Sequence, residues 1–116
     1  MSRNPQLYIH DIIKSCQRIM LYVEEYDYNK FCQDEKTYDA VIRNIEIIGE
    51  ATKNLPVEIK TSYPNIEWKK IAGLRDIVVH AYFGIDNIIL WDIIESKIPA
   101  LLKELLYDLH DKQDIQ

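Results

Sequence analysis

Glycine, proline and cysteine are all scarce in this chain. Its 116 residues include only 3 Gly, 4 Pro and 2 Cys. Isoleucine is abundant and favours strands, but too few glycines and prolines are present to form the many turns of an all-β protein. The two cysteines, Cys16 and Cys32, match no zinc-binding spacing, and the three histidines form no HExxH-type pair. We therefore expect a helical protein with neither a metal site nor a cofactor.

Long apolar runs are also absent. No segment approaches the roughly 18 consecutive apolar residues that a membrane-spanning helix requires. Residues 1–5 lead into an amphipathic pattern and not into the apolar segment of a signal peptide. The sequence therefore predicts a cytoplasmic protein without a membrane partner. Its length fits a single domain over residues 1–116, since one core usually serves about 100–200 residues.

Positive charge is in the minority, with 14 Lys and Arg against 19 Asp and Glu and a net charge of −5. A molecule of this charge repels nucleic acid as a whole. Any chemistry on RNA or DNA would have to come from a local cationic site. The charge thus makes nucleic-acid binding less expected, but it does not exclude a nuclease.

The apolar residues of the first half recur at steps of three and four, which is the spacing of helices. A first helix is predicted over Pro5–Glu24, with Asn4 as its N-cap. The polar segment 25–36 is predicted to be a loop. Within it, Asp34 is placed to cap a second helix, which ends near residues 54–56 because a proline lies there.

The second half shows the same helical spacing. A short helical turn is predicted within the connector 56–65, and a third helix begins near residues 66–68 and stops at Gly84. Asp86 then caps a fourth helix, in which we expect Pro99 to cause a kink. The polar end of the chain is expected to fray. The predicted fold is therefore an all-α, up-and-down bundle of four to five helices with a kinked last helix.

Two glycines, Gly49 and Gly73, lie inside predicted helices. Glycine in a helix interior costs about 1 kcal/mol relative to alanine. We therefore expect another helix to approach the backbone closely at both positions.

Polar side chains interrupt the apolar run 73–84. They are Arg75, Asp76, His80 and Tyr82. Asp76 and His80 lie four residues apart, so on a helix they share a face and their side chains could form a hydrogen bond. Judged by this spacing alone, a structural ion pair at the helix surface is the more common arrangement.

The extended sequence around these residues resembles the HepT-like branch of the HEPN superfamily. The resemblance runs from Trp68 to Asp86 and includes the family's signature, which is Arg, four residues, His, one residue and Tyr. An upstream segment, residues 43–51, is similar to the family's second helix. Together with the four-helix layout, the resemblance covers nearly the whole chain.

The resemblance implies a helical homodimer that cleaves RNA without a metal ion. Arg75 and His80 would carry the cleavage, because an arginine can bind a phosphate through two N–H groups and a histidine exchanges protons near neutral pH. Asp76 would orient the imidazole of His80. The resemblance also implies a toxin whose antitoxin is a minimal nucleotidyltransferase, called MNT, that transfers AMP to Tyr82.

Two other functions remain open from the sequence. The chain could be a catalytically silent partner that presents Tyr82, or a small ligand, to a nucleotidyltransferase. It could also be a structural helical dimer.

In the predicted second helix, Arg43, Glu46 and Glu50 share one face. They would form intrahelical ion pairs, or else Arg43 or Glu46 would line an RNA cleft.

Overall fold

The computed structural model describes residues 3–83 and 86–114, and among these the side chains of all but 81, 82 and 108–114. The helices are α1 (Pro5–Tyr22), α2 (Tyr28–Gln33), α3 (Glu35–Lys53), α4 (Val57–Thr61), α5 (Trp68–Ala72), α6 (Leu74–Tyr82), α7 (Asn87–Asp92) and α8 (Ile98–Asp114). A π-helical turn, Ile93–Lys97, joins α7 to α8. The described residues contain no strand, and the predicted all-α class is confirmed.

The two long helices of the first half begin at the predicted caps. Asn4 Oδ1 accepts a hydrogen bond from the backbone N–H of Gln6 at 3.0 Å. Asp34 Oδ1 accepts from the backbone N–H of Thr37 at 3.1 Å, and its other oxygen accepts from the hydroxyls of Tyr26 and Thr37. These bonds satisfy backbone donors that the first turn of a helix leaves unpaired. They define the N-terminal ends of α1 and α3, two helices that pack against each other.

The prediction of a loop over residues 25–36 was wrong in its middle, where α2 forms. The side chain of Asp27 caps this helix by accepting from the backbone N–H of Lys30 at 2.8 Å. Phe31 is fully buried, and its ring contacts the rings of Tyr38 and Trp91. One turn of polar sequence therefore becomes helical because a single aromatic side chain anchors it to the core.

The predicted third helix is divided at Gly73 into α5 and α6. Gly73 donates its N–H to the carbonyl of Lys69, and its own carbonyl accepts from the N–H of Asp76 at 3.1 Å. The chain ends one helix and begins the next at this glycine, a residue of low helix propensity. The break leaves α6 as a separate nine-residue helix, which carries all four polar residues of the motif.

The end of the chain departs from prediction at two points. Asp86 occupies the N-cap position of α7, but its side chain makes no capping hydrogen bond. Instead of fraying, α8 continues to Asp114. The predicted stop at Gly84 lies outside the described residues.

The predicted kink at Pro99 takes the form of the π-helical turn. The N–H of Ile98 donates to the carbonyl of Ile93, five residues earlier. Proline has no N–H, and its ring crowds the carbonyl four residues before it, so a wider turn ahead of Pro99 relieves that crowding. The wider turn also keeps Ile98 facing the core in line with Leu90 and Ile94, all of which are buried.

The core lies between α1, α3, α6 and the continuous helical stretch 87–114. Isoleucine is the most frequent of its fully buried side chains, which include Ile9, Ile12, Ile19, Ile45, Ile48, Leu90, Ile98 and Leu105. Leu74 and Val78 join α6 to this core. Within the part of the chain that the structure describes, no helix has both the length and the apolar character needed to cross a membrane.

Candidate active site on the exposed face of α6

Helix α6 has one face in the core and one in solvent. Leu74 and Val78 are buried, at 5% and 1% exposure. Arg75, Asp76 and His80 are all exposed on the other side. The three motif side chains described are therefore accessible to a large substrate.

Within the described part of the chain, the guanidinium of Arg75 forms an ion pair that joins α6 to α3. Its Nη1 donates to Glu50 Oε2 at 3.0 Å, and both side chains are about half exposed. The sequence placed Glu50 on a charged face of the second helix but gave it no place in the cleft. No local signal distinguishes Glu50 from Glu46, which lies one turn earlier, because the difference depends on how α6 packs against α3.

Arg43 and Glu46, which the sequence suggested as cleft-lining residues, are exposed on α3. In residues 3–83 and 86–114 the structure gives neither side chain an ion pair or a hydrogen bond. The residue that α3 brings to the motif is Glu50.

Gly49 sets the distance between α3 and α6. A Cβ atom at this position would lie 3.3 Å from Cβ of Arg75 and 3.7 Å from the carbonyl oxygen of Ala72. The close approach predicted at Gly49 is therefore present, and it brings Arg75 beside Glu50. At Gly73 the nearest atoms are the carbonyl oxygens of Lys70 and Lys69, in the preceding turn, so the approach of another helix predicted there was wrong.

Asp76 and His80 are exposed, and in the described part of the chain no hydrogen bond or ion pair joins them. The bond that their spacing allowed is thus not formed. Both groups are at the helix surface, where water competes for them, and no third side chain among those described forms a hydrogen bond or ion pair with either. Whether Asp76 orients His80 during a reaction stays a prediction.

Arg75 and His80 lie on different sides of the exposed face. At 100° per residue, the five residue steps from Arg75 to His80 place the two side chains about 140° apart around the helix axis. Two side chains so placed on one helix do not converge on a single small group. Tyr82 is the last residue of α6, two turns after Arg75.

Exposed apolar side chains and a groove lie near α6. Val79 of α6 and Ile88 and Ile89 of α7 have about half or more of their surface in solvent. A groove of about 570 Å³ lies between α5–α6 and residues 89–104, with Ile71, Ile77 and Ile89 among its lining side chains. None of Arg75, Asp76 and His80 lines the groove, so the candidate site is the exposed face.

Neither cysteine takes part in this site. Both thiols are free; Cys16 is buried, which raises the pKa of its thiol to about 12, and Cys32 is exposed on α2. A buried thiol with so high a pKa is not a nucleophile at neutral pH. Among the residues whose side chains are described, no three His, Cys, Asp or Glu are grouped so as to hold a metal ion.

The chain matches the protein family described as ribonuclease HepT-like over residues 12–107. It is 42% identical over 101 residues to a Thermococcus cleftensis protein named a probable ribonuclease HepT, covering 87% of this chain and 92% of that protein. It is also 40% identical over 103 residues to a Methanocaldococcus jannaschii protein provisionally named an RNase, covering 89% of this chain and 85% of that one. No solved structure is a significant match. This chain belongs to the HepT-like family of ribonucleases.

Proposed function

We propose that this protein is a metal-independent endoribonuclease that cleaves RNA with Arg75 and His80. The observation that carries the proposal is the arginine and histidine of the motif, both exposed on α6, in a member of the HepT-like ribonuclease family. Because the net charge of the chain is −5, a bound phosphate would need a local cation, and the exposed guanidinium of Arg75 would supply it.

The chemistry requires a proton acceptor, a proton donor and positive charge. The 2′-hydroxyl of a ribose loses its proton to a base and attacks the adjacent phosphorus, and the bond to the 5′-oxygen of the next nucleotide breaks as that oxygen gains a proton. A histidine can serve as the base or as the acid. The guanidinium of Arg75 stays charged and donates to the non-bridging phosphate oxygens as negative charge builds there.

The site is completed in a homodimer. One chain supplies a single motif histidine, and its Arg75 and His80 lie on different sides of α6. A second copy would place its own Arg75 and His80 opposite the first pair and would supply the second proton-transfer group. The exposed apolar side chains of Val79, Ile88 and Ile89 support this assembly, because a second copy would remove them from water.

Substitution of the two motif residues tests the reaction. We expect His80→Ala and Arg75→Ala each to reduce cleavage of a single-stranded RNA by about 10²–10⁴-fold, with an unchanged circular dichroism spectrum, because both side chains are exposed and contribute little to folding. His10→Ala is the matched control, since His10 is an exposed histidine on α1. Cleavage that persists in His80→Ala, or that EDTA abolishes, would contradict the proposal.

We further propose that the protein is a toxin silenced when a nucleotidyltransferase antitoxin adds AMP to Tyr82. Tyr82 ends α6, and an AMP phosphate on it could pair with Arg75 and occupy the place of the RNA phosphate. After co-expression with that enzyme, intact-mass measurement should show added AMP that maps to Tyr82. Tyr82→Phe should lose the adduct and escape neutralisation, whereas Tyr107→Phe, which removes an exposed tyrosine of α8, should not. An adduct on another tyrosine would contradict the proposal.

A further inference from the structure

The ion pair between Arg75 and Glu50 connects the motif to a residue outside it. We infer that Glu50 is a positioning residue: it holds the guanidinium of Arg75 in the orientation that receives an RNA phosphate. This inference rests on the proposed function. It concerns a residue on a different helix, 25 positions away in sequence.

The packing of α3 holds the backbone of Glu50 in place. This residue lies within the 19-residue helix α3, and its neighbours Ile48, Gly49 and Ala51 are all buried. Arg75, by contrast, reaches solvent through a long side chain with many rotamers. The close approach at Gly49 fixes the distance between the two helices, so one contact to Glu50 removes much of the freedom of the guanidinium.

The contact leaves most of the guanidinium available. An arginine has five N–H donors. Glu50 takes a single one, from Nη1, so the Nε and Nη2 edge of Arg75 is not engaged by this carboxylate. That edge presents two parallel donors, which is the arrangement that binds two oxygens of a phosphate. Glu50 therefore holds Arg75 without blocking it.

Stability does not account for this ion pair. The side chain of Arg75 is 49% exposed and that of Glu50 is 60% exposed. Water and salt screen pairs of this kind, and many contribute nothing measurable to folding. The same chain contains a comparable pair, Arg3 with Asp11, at 2.7 Å and with 41% and 37% exposure. Asp11 lies on α1 and Arg3 just before it, and neither belongs to the motif.

Kinetics of four proteins test the inference: wild type, Glu50→Ala, Glu50→Gln and the matched control Asp11→Ala. With a fluorescent single-stranded RNA, we expect kcat of Glu50→Ala to fall at least about tenfold, while KM stays near that of wild type. A misplaced guanidinium lowers the rate of the chemical step more than it lowers the affinity for RNA. Glu50→Gln should stay within about threefold of wild type, because its amide oxygen still accepts from Arg75. Asp11→Ala should match wild type.

Three results would overturn the inference. Full activity in Glu50→Ala would show that Arg75 needs no support. A lower KM in Glu50→Ala would show that the carboxylate competes with RNA for the guanidinium. A loss in Glu50→Gln equal to that in Glu50→Ala would show that the hydrogen bond is not what matters.

A second measurement separates this inference from the proposed function. The amplitude of fast motion at Nε of Arg75, obtained from ¹⁵N relaxation, should be larger in Glu50→Ala than in wild type, Glu50→Gln and Asp11→Ala. This result does not depend on RNA cleavage. If wild type cleaves no RNA, the proposed function fails while the positioning is still measured. Equal motion at Arg75 in all four proteins overturns the positioning, whatever their activity.

Discussion

The side chain of Asp34 accepts several hydrogen bonds at the start of α3. Its carboxylate caps α3 and accepts from the hydroxyls of Tyr26 and Thr37. The bond from Tyr26, followed by those from Thr37, lowers the pKa of Asp34 from 3.8 to about 2. Lys30 lies 4.3 Å from the centre of the Tyr26 ring, so the same cluster also connects α2 to α3.

The pKa of Asp34 predicts a pH dependence of stability. A carboxyl whose pKa is lower in the folded state stabilises the fold fully above its unfolded value, here 3.8, and loses that contribution as the pH falls toward about 2. We expect Asp34→Asn to melt at a lower temperature than wild type near neutral pH, with the difference shrinking over that acidic range. Thermal unfolding by circular dichroism measures it.

The control for this experiment is Asp39→Asn, which removes an exposed carboxylate from the same helix. It should lack the pH-dependent difference. A gap between wild type and Asp34→Asn that stays constant down to about pH 2 would show that the carboxylate has no special role.

The caps at Asn4 and Asp34 could be predicted because capping depends on residues two or three positions away. Whether Asp76 and His80 form a hydrogen bond could not be predicted in the same way. Their spacing permits it, but at an exposed helix surface the outcome depends on competition with water. The partner of Arg75 depends on a helix packed from 25 residues away, which no local pattern encodes.

Two glycines distinguish a tight helix contact from an open one. Gly73 has φ −71° and ψ −11°, a conformation that alanine adopts readily, and an added Cβ would meet only carbonyl oxygens at 3.4 Å and 3.5 Å. A Cβ added at Gly49 would lie 3.3 Å from Cβ of Arg75. Substitution by alanine should therefore change the stability of the protein differently at the two glycines.

We expect Gly73→Ala to raise the free energy of unfolding by about 0.4–1 kcal/mol, through the lower entropy of the unfolded chain. Gly49→Ala should gain less or lose stability, because α6 must move by a few tenths of an ångström to accommodate the methyl group. Urea denaturation measures both values. An equal gain at the two positions would show that the contact between α3 and α6 is loose.

Among the elements, the long helices followed from apolar periodicity, and the exceptions have separate causes. Helix α2 forms in a polar segment because Phe31 is buried against Tyr38 and Trp91. The break at Gly73 and the π-helical turn before Pro99 arise from single residues whose effect on a helix depends on packing. Periodicity averages over a whole window and therefore does not register them.

At the scale of the whole molecule, the exposed apolar side chains near the motif predict where two copies meet. Val79→Asp would place a charge in the proposed interface and should shift the protein toward monomer in light scattering, with loss of RNA cleavage. Val57→Asp is the control, because Val57 is 72% exposed on α4, outside the proposed interface. A dimer unchanged by Val79→Asp would place the interface elsewhere.

The separation of Arg75 and His80 around α6 affects how activity depends on the concentration of the protein. If each copy holds only half of a site, activity depends on pairs of molecules and not on single ones. While most copies are still monomeric, doubling the protein then raises the number of complete sites about fourfold, and the response becomes proportional once most copies are paired. A small change in the synthesis or degradation of the protein would thus produce a larger change in activity while the protein is scarce.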